Sequence, residues 1–471
     1  MIPLTPSEVA DLVDGRVLLP ADGPEAGVVP AVSGPVETDS RRVVPGAVFF
    51  ALLGEETDGH RFVDQAVAAG AALVVAERDV TTTVPVVVVA DGVTALSALA
   101  RGVVERVRRL GRLRVSAVTG SNGKTSTKNM LRAVLGDVGP TVAPRGSFNN
   151  HVGAPVSMLG IDETTEHLVV EMGASGPGEI AKLVAVARPD VGVVLKVGLA
   201  HAGGFGGIEG TRRAKAEMVT DLPSTAVAVL NADDDRVAGM AGDTAARVVT
   251  FGFSEGADHR ATDVEVTADG TRFTYRHGDL VRPVALRILG EHHVMNALAT
   301  LAVAAQHGLD LDRACAVLEG VARAERWRME VLDAPGGVTV VNDAYNASPD
   351  SVAAALKTLV QITGPGRRAI AVLGEMGELG DQAQEEHDRL GRLVVRLGIP
   401  QLVVVGHAAR HVHMAAGLEG SWDGESVFVD DVDQAEERLR GLLREGDVVL
   451  VKSSNSAGLR VLGDRLAGVD A

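Results

Sequence analysis

The sequence predicts an α/β protein of three domains, and two observations carry that reading. Strand-length apolar runs alternate with helix-length segments along nearly the whole chain, the pattern left by β-α-β units and parallel sheets. Apolar residues make up 46% of the chain but aromatics only 3%, so the apolar mass is Val, Ala and Leu, as doubly covered parallel strands require. A chain of 471 residues exceeds one ordinary core. At about 150 residues per domain it divides into three.

Up to about Arg112 the strand-like runs, such as AALVVAE and VPVVVVAD, are short, and loops such as LLGEETDGH interrupt them. The charged run RGVVERVRRLGRLR reads as the solvated face of a helix leading into the next domain. From Leu113 the runs RVSAVTG, HLVVEMG, VGVVLKVG, AVAVLNADD and RVVTFGF predict a parallel, doubly wound sheet extending to about Arg323. After RAERWRMEVLDAPGG a fresh series starts at Val338 and continues through RAIAVLGEMG, QLVVVG, SVFVDD and DVVLVKSS, predicting a Rossmann-like third domain. The expected domains are therefore 1–112, 113–323 and 324–471.

Composition narrows the function. A single cysteine, Cys315, excludes an internal disulfide and a Cys-based zinc site and suits a reducing compartment. No leader-like N-terminus and no run of about 18 apolar residues is found, so a cytoplasmic protein without membrane insertion is expected. A net charge of −17 opposes nucleic-acid binding, and anionic ligands would need local cations and helix N-termini.

One stretch supplies both. VSAVTGSNGKTSTKNML, Val115 to Leu131, reads as a strand, a glycine turn, then Lys124, Thr125 and Ser126 opening a helix. Glycines let backbone N–H groups approach phosphates, the lysine reaches the outer phosphates, and a hydroxyl ligates Mg²⁺. The usual spacing needs glycine at 118, where this chain has Val118, so the loop is a shorter T-G-x-x-G-K-T form. It predicts a nucleoside-triphosphate site at Gly120, Ser121, Asn122, Gly123, Lys124, Thr125 and Ser126. Glu171 closes a strand before a glycine-rich turn, at the sheet edge where open α/β sheets bind ligands. Alone, it reads equally as a metal carboxylate or an ordinary strand-end residue. His201, also between a strand and glycines, reads alone as a loop histidine, and Lys215 as a helix-surface charge.

Eight blocks in order, TGSNGKTSTK, SFNNHVGAP, VVEMGASGPGEI, VGLAHAGGFGG, RRAKAEMV, GEHHVMNALA, RME and VNDAYNASPDS, resemble the Mur ligase family of peptidoglycan synthesis. The N-terminal ETDSRRVVPGAVFFALLG and DGHRFVDQAVAAGAALVV are similar to that family's uridine-nucleotide domain. The resemblance implies an ATP-dependent amide ligase that joins D-alanyl-D-alanine to a UDP-N-acetylmuramoyl-tripeptide through an acyl phosphate, as a monomer. It implies that Lys124 neutralises the ATP phosphates and that Thr125, Glu171 and His201 ligate Mg²⁺, two ions in all. It implies that Lys215 is carbamylated and serves the second ion. Asn296 and His293 fall on the adenine side, and Arg328, Asp343 and Asn346 reach the nucleotide from the third domain. Asn149 and Asn150 match the substrate-side pair, Lys452 a substrate-side anion contact, and Thr38, Asp39, Ser40 and Arg41 the uridine-nucleotide loop. The chain departs from the family pattern at Ser453 and Asn455, where glycine and arginine are expected, at His151 in place of an acidic residue, and at Ser348 in place of asparagine.

Overall fold

The computed structural model describes residues 1–20, 30–54, 57–199, 205–321, 326–420 and 425–469. Three sheets follow one another along the chain. The first has five strands in the order Arg16–Leu18, Val86–Val88, Leu73–Ala76, Val48–Ala51, Val36–Glu37, with only the first pair antiparallel. The inner strands Val48–Ala51 and Leu73–Ala76 are buried on both faces, which is why they read as unbroken apolar runs.

The helix Gly92–Arg108 joins this sheet to the second. Asp91 caps it by accepting the Thr94 N–H at 2.7 Å, and its apolar face buries Leu96, Leu99 and Val103. Those side chains share one continuous core with Phe50 of the first sheet and with Val115, Leu168 and Val170 of the second. The two units are thus fused through a common apolar layer.

The second sheet has nine strands. Its parallel part runs Thr141–Val142, His167–Glu171, Arg114–Thr119, Val191–Val194, Val227–Asn231, Arg247–Gly252 and His259–Thr267. Register sets Val118 opposite Glu171 and Thr119 opposite Val194, so the phosphate-loop sequence and the Glu171 carboxylate emerge at one sheet edge.

The parallel pattern expected up to Arg323 stops early. From His259 to Leu286 the chain forms an antiparallel meander, His259–Thr267, Gly270–His277 and Leu280–Leu286. Its segments alternate apolar and polar residues, as a sheet with one wet face does, and Asp269-Gly270 and Gly278-Asp279 mark the tight connections.

The third sheet has six strands in the order Glu330–Ala334, Val338–Asn342, Val448–Lys452, Ala369–Leu373, Gln401–Val405, Ser426–Val429, with only the first pair antiparallel. It packs into two apolar clusters of its own, one on each face, centred on Leu356 and Leu450 and on Val340 and Val449. Among the described residues of these clusters, only Leu289, with Val266 packed beside it, comes from the middle unit. No described helix is long and apolar enough to cross a membrane.

Candidate functional site

The site forms where the second sheet's edge meets the third unit. The strand Arg114–Thr119, buried but for its first residue, runs into Gly120 (φ +153°) and Gly123 (φ +85°), and the helix Lys124–Gly136 begins at once. Glycine is required at 123: a Cβ there would lie 2.4 Å from Asn296 Oδ1 and 3.2 Å from Leu195 Cδ1. The buried Ser121 hydroxyl staples the loop down, donating to Gly198 O (3.1 Å) and accepting the Gly198 N–H (2.9 Å). Lys124 Nζ donates to Gly120 O at 2.8 Å, curling over the loop. Burial lowers its pKa, with Glu171 opposing the shift and Arg328 reinforcing it. The result is a glycine loop with one ammonium lining a cleft of about 700 Å³.

Beside the loop, Glu171 is fully buried. Its Oε1 accepts from Asn149 Nδ2 at 2.7 Å and from the Thr125 hydroxyl at 3.2 Å, and its Oε2 has no partner among the described residues. A buried carboxylate oxygen without a partner is costly unless a cation completes it. Together with the Thr125 hydroxyl it makes a hard oxygen pair that suits a largely hydrated Mg²⁺. Among the described residues there is no cluster of three or more His, Cys, Asp or Glu. His201 lies outside the described residues.

Lys215 is not a helix-surface charge. On the helix Ile208–Thr220 it is 2% exposed, with its ammonium 5.5 Å from the centre of the Phe205 ring. Burial, and next the charge of Lys124, push its pKa down to about 7, while Glu217 and Glu179 act the other way.

The far wall comes from the helix Glu291–Gln306, which presents buried His293 and Asn296. Asn296 Nδ2 is 3.4 Å from His293 Nδ1, and His293 Nε2 is without a partner among the described residues. Burial holds the His293 imidazole neutral, well below its usual range.

The third unit closes the cleft. An Arg328 amine donates to the Thr125 and Ser147 hydroxyls, 3.3 Å each, and the guanidinium lies 4.2 Å over the Tyr345 ring. Ser348 donates to Asn122 of the loop at 3.0 Å, and Asp350 pairs with Lys196 at 3.3 Å. Asp343 accepts from the Met329 N–H (3.0 Å) and from buried Lys452 (2.5 Å), and Lys452 also donates to Asn346 O (3.1 Å). Lys452 thus groups with the nucleotide-side residues Asp343 and Asn346.

The other substrate-side residues sit apart. Thr38, Asp39, Ser40 and Arg41 lie on the first unit, where Arg41 is paired with Asp39 at 2.7 Å and holds that carboxyl down at about 2. Asn150 is occupied locally, accepting from the Val152 and Gly153 N–H groups at 3.2 and 2.8 Å. A contact bridges the gap: the Arg42 guanidinium lies 5.3 Å over Phe148, the residue before Asn149. Sequence reasoning passed over Ser147 and Tyr345, although both lie inside quoted motifs, Ser147 two residues before Asn149 and Tyr345 between Asp343 and Asn346.

The fold and cleft define a three-unit α/β protein with a phosphate loop in the cleft, and comparison with known proteins makes it a ligase and gives its family. Models for the Mur ligase family catalytic domain, the Mur ligase middle domain and the Mur ligase glutamate ligase domain match residues 35–113, 118–304 and 327–455. The chain belongs to the Mur ligase family. It is 42% identical to the UDP-N-acetylmuramoyl-tripeptide–D-alanyl-D-alanine ligase of Mycobacterium bovis, covering 100% of this chain and 99% of that one. Among solved structures, MurF from Acinetobacter baumannii superposes with a TM-score of 0.87 at 31% identity over 99% of both chains. The MurF ligase of Thermotoga maritima in complex with ADP superposes at 0.79 and 30% identity, over 91% of this chain and 96% of that one.

Proposed function

We propose that the chain is the ligase that adds D-alanyl-D-alanine to UDP-N-acetylmuramoyl-tripeptide at the expense of ATP. The observation that carries this is the convergence of Lys124, Thr125, Glu171 and Arg328 on one glycine loop, within a chain similar end to end to ligases of that name. A carboxylate is a poor electrophile at neutral pH. ATP transfers its γ-phosphoryl group to the tripeptide's terminal carboxylate, releasing ADP and forming an acyl phosphate. The dipeptide amine attacks that carbonyl, and collapse of the tetrahedral intermediate forms the amide and releases phosphate and a proton.

In this reading the loop amides and Lys124 hold the phosphates, and Arg328 arrives from the third unit to neutralise the transferring group. Thr125 and Glu171, with His201, would hold Mg²⁺, which supplies charge neutralisation on the phosphates. Asn149 orients Glu171. His293 and Asn296 face adenine, while Asp343, Asn346 and Lys452 form the third unit's nucleotide edge. Thr38 to Arg41 hold the uridine nucleotide, with Asn149 and Asn150 toward the peptide. Lys215, whose lowered pKa leaves a large neutral fraction, would add CO₂ to form a carbamate with release of a proton, and as a carboxylate would help hold a second ion. The working units are 1–112, 113–323 and 324–471, in a cytoplasmic monomer.

ADP release measured with UDP-N-acetylmuramoyl-tripeptide and D-alanyl-D-alanine, each omitted in turn, tests the reading. Release that requires both supports it. Turnover independent of any acceptor points to a non-ligating ATP-binding regulator, and preference for a diamino acid or a folate points to another ligase of this architecture.

A further inference from the structure

Ser147 is a meeting point that the proposed chemistry does not use. Its hydroxyl lies 3.3 Å from Thr125 Oγ1 of the phosphate loop and 3.3 Å from an Arg328 amine, and it accepts from the Tyr345 hydroxyl at 3.1 Å. Arg328 and Tyr345 belong to the closing unit, Thr125 to the fixed one.

The proton inventory gives this cluster a direction. Arginine only donates and a carboxylate only accepts. Arg328 and Tyr345 therefore fill the two lone pairs of Ser147, Ser147 gives its single proton to Thr125, which also accepts from Arg328 at 3.3 Å, and Thr125 gives its own to Glu171 at 3.2 Å. Each bond in the chain sets the direction of the next.

The loop that carries Ser147 is braced at both ends. Before it, Lys128 from the phosphate-loop helix, 1% exposed, donates to Pro144 O at 3.1 Å and Gly146 O at 2.9 Å. After it, Phe148 lies beneath Arg42 of the first unit, and Asn149 holds Glu171 at 2.7 Å. Four consecutive residues thus touch all three units.

We propose that Ser147 is a positioning residue that couples closure of the third unit to the Thr125–Glu171 pair, acting through Tyr345 and Arg328 rather than on substrate. The inference rests on the nucleotide reading of the cleft.

The test is a double-mutant cycle of Ser147→Ala and Tyr345→Phe, with two readouts. One is kcat with KM for each substrate. The other is the closed fraction of the nucleotide-free protein, from energy transfer between labels on the second and third units. Each single variant is expected to lower kcat about tenfold with KM values changed less than twofold, and the double variant to be no slower than the worse single one. The closed fraction should fall in all three, and Ser147→Thr, which keeps a hydroxyl, should retain both properties. Losses that multiply in the double variant, or an unchanged closed fraction, would overturn the coupling. The label readout needs no catalysis, so it stands apart from any failure of the ligase assignment. Should Ser147→Ala not fold, Tyr345→Phe, which keeps the ring beneath Arg328, decides the matter through the same two readouts.

Discussion

Lys124 and Lys215 show how one residue type is turned to different uses by its surroundings. Lys124 sits at a helix start with its ammonium on the Gly120 carbonyl, ready to exchange that oxygen for a phosphate. Lys124→Ala should cut turnover by a factor of the order of 10² or more while leaving the melting temperature near the parent's, as loss of a preorganised charge does. Lys215 is buried, and its pKa of about 7 leaves about half the amines neutral at that pH. An ordinary lysine is neutral in about 1 molecule in 2,500 at pH 7. Lys215→Ala should therefore lose most activity and regain part of it with formate or acetate, but not with a small amine. Full activity in Lys215→Ala would remove the lysine from the site. In CO₂-free buffer, where Lys215 is a free amine, the linkage has a definite sign: the folded pKa is below the unfolded one, so between pH 7 and 10.5 the unfolded chain binds more protons and stability rises with pH. Lys215→Met should flatten that rise in a chemical-denaturation series across pH.

At the scale of elements, the glycine loop is held by what lies against it. Gly123 takes a left-handed φ of +85° with Asn296 and Leu195 directly behind it. In Gly123→Ala the backbone alone costs about 1–2 kcal/mol, and the new methyl must displace Asn296. Nucleotide affinity, measured by calorimetry, should fall together with melting temperature, whereas Gly136→Ala, at a helical position where a Cβ meets nothing, should leave affinity unchanged and the melting temperature no lower. The loop's glycines, lysine and hydroxyls were legible because chemistry demands them at fixed spacing. The antiparallel meander from His259 to Leu286 was legible too, in its period-two alternation and its Asp-Gly and Gly-Asp turns, but the surrounding parallel pattern overrode those signals.

At the scale of the molecule, core sharing predicts that the third unit is the one to move. The first two units are joined by one apolar cluster through the helix Gly92–Arg108, whereas the third keeps its own clusters and meets the cleft chiefly through polar contacts such as Ser348 with Asn122 and Asp350 with Lys196. Separating an apolar layer exposes it to water, while these polar groups can exchange partners with solvent. The segment leading into the third unit carries Trp327 and Met329 at φ +61° and +50°, and Arg328 between them faces Thr125. Arg328→Ala and Asp343→Ala should accordingly lower kcat by more than they weaken ATP binding to the open enzyme, measured by rapid-mixing fluorescence against steady-state kinetics. Equal losses in both would place these residues in the open site.

The sequence alone determined the α/β class, the succession of three units, the phosphate loop and the family's motif order, because alternation of apolar runs and loop chemistry are local properties. Tertiary structure decided the rest. Lys215 read as a surface charge because a helix's buried face cannot be recognised until its neighbours are known, and its neighbours here include Phe205 and the charge of Lys124. Ser147 and Tyr345 carried no signal of their own. They lie 198 positions apart, and their 3.1 Å contact exists only because the fold brings the loop after Val338–Asn342 to the loop after Thr141–Val142. A hydroxyl has no meaning as a relay until a donor and an acceptor stand on either side of it, and only the fold brings Arg328 and Thr125 to Ser147.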